Sequence, residues 1–145
     1  MDPGGNASTS TVSSFIIQYQ SELIAVQNLL QTKGKNMRQI NNKNEFEKLF
    51  TESHALVCDF SASWCGPCKS LEPVLKKLEK DNQDIVFVQI DVDKQRELSD
   101  KYRIQAMPTV LFVRKGKEIK RIVGFKDYEA LSKHAKKLLD LEASL

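Results

Sequence analysis

From Met37 onward the chain alternates between short apolar runs and amphipathic segments, and this order constrains the fold more than any other feature. Runs rich in Val, Ile, Leu and Phe at 55–61, 84–91 and 109–114 predict buried strands. Apolar residues at helical spacing between these runs predict helices. Strands that alternate with helices form a largely parallel sheet with helices on both faces. The sequence therefore predicts an α/β fold.

The predicted order of elements is β-α-β-α-β-α-β-β-α. The strands are predicted at 38–40, 55–61, 84–91, 109–114 and 118–123, and the helices at 44–50, 65–80, 94–102 and 127–141. Lys115-Gly116-Lys117 is typical of a hairpin turn, so the last two strands should be antiparallel and lie at one edge of the sheet. This pattern predicts a mixed central sheet flanked by helices on both faces.

The residues before Met37 have a different composition. Residues 1–14 are small and polar, which predicts disorder. Residues 15–32 contain apolar residues at spacings of three and four, which predict an amphipathic helix. Three alternatives are open for such a helix: packing on its own domain, docking to a second copy or another protein, or targeting. We therefore expect an N-terminal extension over 1–36 and one domain over 37–145.

Charge and cysteine content exclude several classes of protein. The formal net charge is only +3, which argues against an electrostatic nucleic-acid binder. Three cysteines are too few and odd in number for a secreted disulfide framework. The N-terminal residues lack the basic and continuously apolar regions of a signal peptide, and no membrane span is predicted. These features favour the cytoplasm, with a mitochondrial location as the alternative.

The segment Trp64-Cys65-Gly66-Pro67-Cys68 carries the clearest chemistry in the chain. Cys65 follows a predicted strand and opens a predicted helix, and Cys68 comes three residues later on the same helix face, so their sulfurs are placed to form a disulfide. Unpaired N–H groups and the helix dipole at this end stabilise a thiolate. Pro67 fits the first turn, where no N–H donor is needed. The spacing predicts a dithiol–disulfide exchange site.

That site implies two steps. The Cys65 thiolate attacks a target disulfide, and Cys68 then attacks Cys65 and releases the reduced target. The second step requires Cys68 to lose a proton. Asp59 stands alone in an apolar strand, where burial would raise the pKa of its carboxyl, so it is a candidate base. The alternative is a strand-end aspartate bonded to backbone amides.

Met107-Pro108-Thr109 precedes a predicted strand and forces a special backbone there. From the local sequence alone this is either an ordinary turn or a cis peptide bond that presents a free backbone edge to an extended peptide. The two alternatives stay open at this level.

Taken together, these motifs resemble thioredoxin. The similar blocks are ALVCDFSASWCGPCKSLEPVLKKL and IDVDKQRELSDKYRIQAMPTVLFVRKGKEIKRIVGF, and the resemblance covers about 37–142. It implies that Cys65 is the nucleophile, Cys68 the resolving cysteine that forms the redox disulfide with it, Asp59 the acid that assists Cys68, and Pro108 a cis-proline. It also implies a flat docking surface that includes Trp64, Gly66, Pro67, Met107 and Gly124.

The resemblance further implies a protein-disulfide reductase that maintains cell redox homeostasis. A separate flavin-containing thioredoxin reductase would recycle it with NADPH, so no cofactor or metal is expected on this chain. The expected partners are disulfide-containing client proteins and that reductase, without nucleic acid or membrane, and a weak homodimer stays open.

Three features depart from the family pattern. Gln89 occupies a position where many members carry lysine near the buried acid, which weakens charge-based arguments about Asp59 and Cys68. The residues before Met37 have no counterpart in a minimal member. Cys58 is extra, and strand alternation turns it away from Asp59, which predicts core packing, with a regulatory thiol as the alternative.

Other functions use the same residues. A disulfide isomerase or oxidant would share the fold, although Gly66-Pro67 favours a reducing poise by resemblance. A binding module could use the cysteines as a switch without turnover. A zinc site would need Cys58, His54 or His134 beside the C-x-x-C, and none has metal-type spacing.

Overall fold

The computed structural model describes residues 37–143 of the chain, together with Gln20, which is helical and exposed. The predicted disorder over 1–14 and, apart from Gln20, the predicted helix over 15–32 lie outside the described residues. The division of the chain at residue 36 therefore stays a prediction.

In this part of the chain, strands and helices follow the predicted order. The strands are β1 (Arg38–Gln39), β2 (Leu56–Ser61), β3 (Val86–Asp91), β4 (Thr109–Arg114) and β5 (Lys117–Val123). The helices are α1 (Lys43–Glu52), α2 (Gly66–Asp81), α3 (Arg96–Lys101) and α4 (Tyr128–Ala143).

The strands form a five-stranded sheet in the order β1-β3-β2-β4-β5. β3 pairs in parallel with both β1 and β2, whereas β4 pairs antiparallel with β2 and β5. Every residue of β2 is buried, as expected for a central strand covered on both faces. The predicted mixed sheet, with its antiparallel edge after Lys115, is confirmed.

Alternation along the strands divides the apolar residues between two faces of the sheet. On one face, the strand residues Val57, Phe87 and Phe112 belong to a core that includes residues of α2 and α4. On the other face, Cys58 and Phe60 belong to a second core, whose helical members include Phe46 of α1 and Leu98 of α3. Helices therefore cover both faces, and α2 lies on the face that also carries Asp59.

Most boundaries differ from the sequence prediction by one or two residues, and two of the shifts have a clear local reason. The strand predicted from residue 84 begins at Val86, because the N–H of Ile85 closes a turn on the carbonyl of Asn82 at 3.0 Å. The helix predicted from residue 94 begins at Arg96, because the N–H groups of residues 93 and 94 bond to the carboxylate of Asp91. Turn formation competes with helix start at such aspartates.

The connection between β2 and α2 sets the position of the cysteines. After Ser61 the chain turns, and the N–H of Cys65 donates to the carbonyl of Ala62 at 3.2 Å before the helix begins. The C-x-x-C motif thus lies at the carboxyl end of a central strand. None of the helices between residues 37 and 143 is both long enough and apolar enough to cross a membrane.

Candidate active site

Cys65 is the N-cap residue of α2. Its backbone is extended, and its Sγ accepts a hydrogen bond from the N–H of Cys68 at 3.2 Å. The two cysteines form a disulfide, with their Cα atoms 5.3 Å apart. A sulfur in this position faces the unpaired N–H groups of the first helical turn, where negative charge is stabilised. Once the disulfide is reduced, the same contacts favour a thiolate at Cys65.

The surroundings of the cysteines are apolar and partly open. Both cysteines are 5% exposed, and they form a small cluster with Ala62, against which Met107 packs. Gly66 and Pro67 are exposed, and Trp64 is 64% exposed. A large exposed aromatic side chain beside a buried disulfide is suited to contact with a partner protein.

The loop that contains Met107 has the special backbone anticipated from its sequence. The peptide bond between Met107 and Pro108 is cis, which decides between the two alternatives left open above. The N–H of Gly124 donates to the carbonyl of Pro108 at 2.8 Å, and Gly124 has φ +88, a conformation that suits glycine. The end of β5 is therefore tied to the loop that faces the cysteines.

A hydrogen bond that sequence reasoning missed holds Trp64. Its indole Nε1–H donates to Oδ2 of Asp93 at 2.8 Å, and the N–H of Asp93 in turn donates to the carboxylate of Asp91. The available signal was the two aspartates around the end of β3, Asp91 as its last residue and Asp93 two residues later, because the carboxyl ends of parallel strands share one edge of the sheet with the C-x-x-C motif.

Asp59 is buried in the middle of β2, where it is 1% exposed. Its Oδ2 accepts a hydrogen bond from Nε2 of Gln89 at 3.0 Å, and within residues 37–143 its Oδ1 has no hydrogen-bond partner. Burial raises the pKa of Asp59 to about 6, with a smaller rise from the charge of Glu72, while the bond from Gln89 lowers it. The hydrogen-bond partner of this carboxyl is thus a side chain, and not the backbone amides expected for a strand-end aspartate.

A row of polar side chains crosses the sheet at this level. Gln39 of β1 lies beside Gln89 of β3, which lies beside Asp59 of β2. The amide of Gln39 donates to Oε1 of Gln89, so the NH₂ group of Gln89 is directed at Asp59. Gln39, Gln89 and Cys68 line a common cavity of about 280 Å³. Gln89 therefore contacts both the buried carboxyl and the cavity beside the second cysteine.

Cys58 lies on the opposite face of the sheet, fully buried among residues such as Phe46 and Phe60. The predicted core packing is confirmed. Burial raises the pKa of the Cys58 thiol well above its usual range, so this sulfur stays protonated. Within the described part of the chain, no three His, Cys, Asp or Glu side chains are grouped to hold a metal ion.

A disulfide-forming cysteine pair at the N-terminus of a helix, on the carboxyl end of a central strand of a mixed sheet, defines a dithiol–disulfide oxidoreductase. The family model named Thioredoxin matches residues 37–137. The chain belongs to the thioredoxin family, whose members are disulfide oxidoreductases that generally reduce disulfide-containing targets, and Cys65–Cys68 fits their active site.

Known thioredoxins are similar to this chain over most of the domain. A thioredoxin of Mycoplasmoides gallisepticum is 42% identical over 89 residues, which are 61% of this chain and 89% of the relative. Thioredoxin H-type 1 of Nicotiana tabacum is 41% identical over 96 residues, 63% of this chain and 76% of the relative. The structure of oxidized mitochondrial thioredoxin 3 from Saccharomyces cerevisiae matches with a TM-score of 0.67 at 35% identity, covering 72% of this chain and 98% of that one.

Proposed function

We propose that the protein is a protein-disulfide reductase, with Cys65 as nucleophile and Cys68 as resolving cysteine. The observation that carries this proposal is the hydrogen bond from the N–H of Cys68 to Sγ of Cys65 at the start of α2. A thiolate at this position keeps the same donor, so the helix lowers the free energy of the reactive form.

The reaction transfers two electrons from the dithiol to the client disulfide. The Cys65 thiolate attacks one client sulfur, the client disulfide breaks, and the released client thiolate takes a proton. Cys68 then loses a proton and attacks Sγ of Cys65, the mixed disulfide breaks, and the second client thiolate is protonated. The products are a client dithiol and the Cys65–Cys68 disulfide.

Asp59 is proposed to accept the proton that Cys68 loses. Its carboxyl has a pKa of about 6, close to the pH at which a base exchanges protons most usefully. The route runs through the cavity of about 280 Å³ that Cys68 shares with Gln89, since this space is polar and large enough for water.

The client is proposed to dock on the surface around the disulfide, formed by Trp64, Gly66, Pro67, Met107 and Gly124, with Pro108 facing the cysteines. The exposure of Trp64 and the packing of Met107 against the cysteines support this surface. Backbone groups beside a cis-proline suit hydrogen bonding to an extended peptide.

Recycling is proposed to depend on a separate NADPH-dependent thioredoxin reductase, with no cofactor bound to this chain. The role that follows is maintenance of cell redox homeostasis. We propose the cytoplasm as the location, and the mitochondrial yeast thioredoxin among the similar structures supports the mitochondrion as the alternative.

Single-turnover trapping tests the proposed roles directly. Cys68→Ser should accumulate a mixed disulfide through Cys65, whereas Cys65→Ser should form no adduct and show no turnover. Cys58→Ala is the matched control, because Cys58 lies on the other face of the sheet, and it should retain reductase activity. A Cys65 thiol that alkylates near neutral pH no faster than an ordinary free cysteine would contradict the mechanism.

A redox titration tests the direction of the reaction. A reducing potential supports a reductase, whereas a potential close to that of the secretory compartment would favour an isomerase or oxidant. Absence of turnover with both cysteines intact would favour a binding module instead.

A further inference from the structure

A groove between β5 and α4 has no part in the thiol chemistry described above. Its volume is about 290 Å³. The apolar part of its lining includes buried Ile122 and half-buried Ala130. The basic part consists of exposed Lys120 and Lys126 and the half-buried ring of His134. No Asp or Glu is among the described residues that line this space.

Arg121 also lines the edge of this groove, but strand alternation turns its side chain to the other face of the sheet from Lys120. Arg121 and Leu111 are paired across β5 and β4, and Leu111 belongs to the core on the α1 side. The guanidinium of Arg121 bonds to Glu118 and to the carbonyls of Tyr102 and Arg103, so its charge is compensated. Lys120 lies on the alternate, α4-facing side. Within residues 37–143, no carboxylate forms a salt bridge with Lys120 or Lys126.

The electrostatic environment of His134 reports the charge of this groove. Its ring packs against Phe112, with centroids 5.6 Å apart. Burial lowers the pKa of His134, and the charges of Lys120, Lys137 and Lys133 lower it further. Several lysines from two elements are therefore close enough to one partly buried ring to disfavour its charged form. This concentration of positive charge favours the binding of an anionic ligand.

The groove is continuous with the active site along β5. Val123, which also lines the groove, pairs with Thr109, and the next N–H, of Gly124, bonds to the carbonyl of Pro108. Val123 lies three residues along the strand from Lys120, a distance of roughly 10 Å. β5 is also the last strand of the sheet order, so an extended peptide has backbone groups to pair with there.

We propose that this β5–α4 groove binds an acidic segment of the client protein close to the disulfide that is being reduced. Carboxylates of the client pair with Lys120 and Lys126, and an apolar client side chain contacts Ile122 and Ala130. A peptide is favoured over a nucleic acid because the accessible lining is largely apolar and the formal net charge of the chain is only +3. The inference rests on the proposed reductase function, since it names the class of client.

Binding is measured without turnover, on the full chain with its Cys65–Cys68 disulfide intact. The probe is a short cysteine-free peptide of alternating glutamate and valine, and the control peptide carries glutamine in place of glutamate. Proton NMR should show that the acidic peptide raises the pKa of His134, because carboxylates offset the surrounding lysine charges. By linkage, affinity should increase as the pH falls through that pKa. At a fixed pH, addition of the peptide should leave the ring signals of His54 unchanged.

Two matched double variants locate the site. Lys120→Gln with Lys126→Gln should weaken binding of the acidic peptide by roughly tenfold, because two ion pairs are lost. Added salt screens these ion pairs and should reduce the difference. Lys48→Gln with Lys80→Gln removes the same charge from exposed positions on α1 and α2 and should change affinity less than about twofold. Equal losses in the two double variants would overturn the proposal.

Three other results would also overturn it. Equal binding of the acidic and the glutamine peptide would show that charge is irrelevant. An oligonucleotide would bind more tightly than the acidic peptide and shift His134 if the groove served nucleic acid. His134 signals that change with protein concentration alone would show that a second copy of the chain occupies the groove.

Reduction of two disulfide peptides separates this proposal from the reductase function. The peptides are identical except for a glutamate-rich or a glutamine-rich segment beside the disulfide. The Lys120 and Lys126 double variant should lower kcat/KM for the acidic peptide only. If the unaltered protein reduces neither peptide, the reductase function fails. If it reduces both and the double variant affects them equally, the groove proposal alone fails.

Discussion

At the scale of single residues, Gln89 limits how far burial raises the pKa of the buried carboxyl. A lysine at this position would bring a full positive charge to Asp59, whereas Gln89 brings one neutral N–H donor at 3.0 Å. Because a neutral donor stabilises the carboxylate less than a cation does, burial dominates and the pKa of Asp59 is raised to about 6.

Gln89→Leu should therefore raise the pKa of Asp59 further, because the one bond that favours the charged form is lost. Carbon-detected NMR of the Asp59 carboxyl measures this directly, and the pH profile of the resolving step should move in the same direction if Asp59 is the base. Gln105→Leu, at an exposed loop position, is the control and should leave both unchanged. An unaltered Asp59 titration in Gln89→Leu would mean that the hydrogen bond does not influence this carboxyl.

Asp93 sets the orientation of Trp64, the one tryptophan of the chain, so tryptophan fluorescence reports on this side chain alone. Asp93→Ala removes the hydrogen bond at 2.8 Å, which is worth about 1 kcal/mol. The indole should gain local motion, seen as a larger fast component of the anisotropy decay, and KM for a protein client should rise severalfold with little change in kcat. Asp84→Ala, another exposed aspartate, should change neither quantity. A rigid indole in Asp93→Ala would contradict this role.

At the scale of elements, α1 and α2 both begin at a side chain that accepts a free N–H group of the first helical turn. α1 begins after Asn42, whose Oδ1 accepts the N–H of Glu45 at 2.8 Å, and α2 begins after Cys65, whose Sγ accepts the N–H of Cys68. The same local geometry thus has a structural use in α1 and a chemical use in α2.

Asn42→Ala should lower the free energy of unfolding by about 1 kcal/mol, because the cap of α1 is lost. Urea unfolding measures this change. Disulfide reduction should persist, since α1 packs on the face of the sheet opposite Asp59. Asn44→Ala, two residues further on and exposed within the helix, should be neutral or slightly stabilising. A comparable loss of stability in both variants would show that the cap contributes nothing of its own.

The elements that the sequence predicts best are those with clear local boundaries. β4 has the predicted bounds because Pro108 precedes it and Lys115-Gly116 turns the chain after it. The contacts between distant residues were not predictable in the same way. The bond of Trp64 to Asp93 and the row from Gln39 to Asp59 depend on which strands are neighbours and in what register, and local periodicity does not carry that information.

At the scale of the whole molecule, the buried carboxyl of Asp59 links the chemistry to the stability of the fold. The pKa of this group is raised from an ordinary value of 3.8 to about 6 in the folded protein, chiefly by burial. Between these two pH values the folded state holds a proton that the unfolded state has lost. The free energy of unfolding therefore falls as the pH rises through this window, and the full penalty is present above it.

Asp59→Asn should remove this penalty and stabilise the oxidised protein at about pH 7 by an amount on the order of 3 kcal/mol, the equivalent of the pKa rise. The gain should shrink toward zero near about pH 4, where the unaltered Asp59 is itself protonated in the folded state. Urea unfolding of both proteins across this range measures the difference. Asp140→Asn, at an exposed position of α4, keeps Asp59 and should follow the unaltered protein at each pH. If the Asp59→Asn gain were the same at both ends of the range, the pKa of Asp59 would be equal in the folded and unfolded states, and burial would not give this carboxyl the raised pKa that the proposed proton transfer uses.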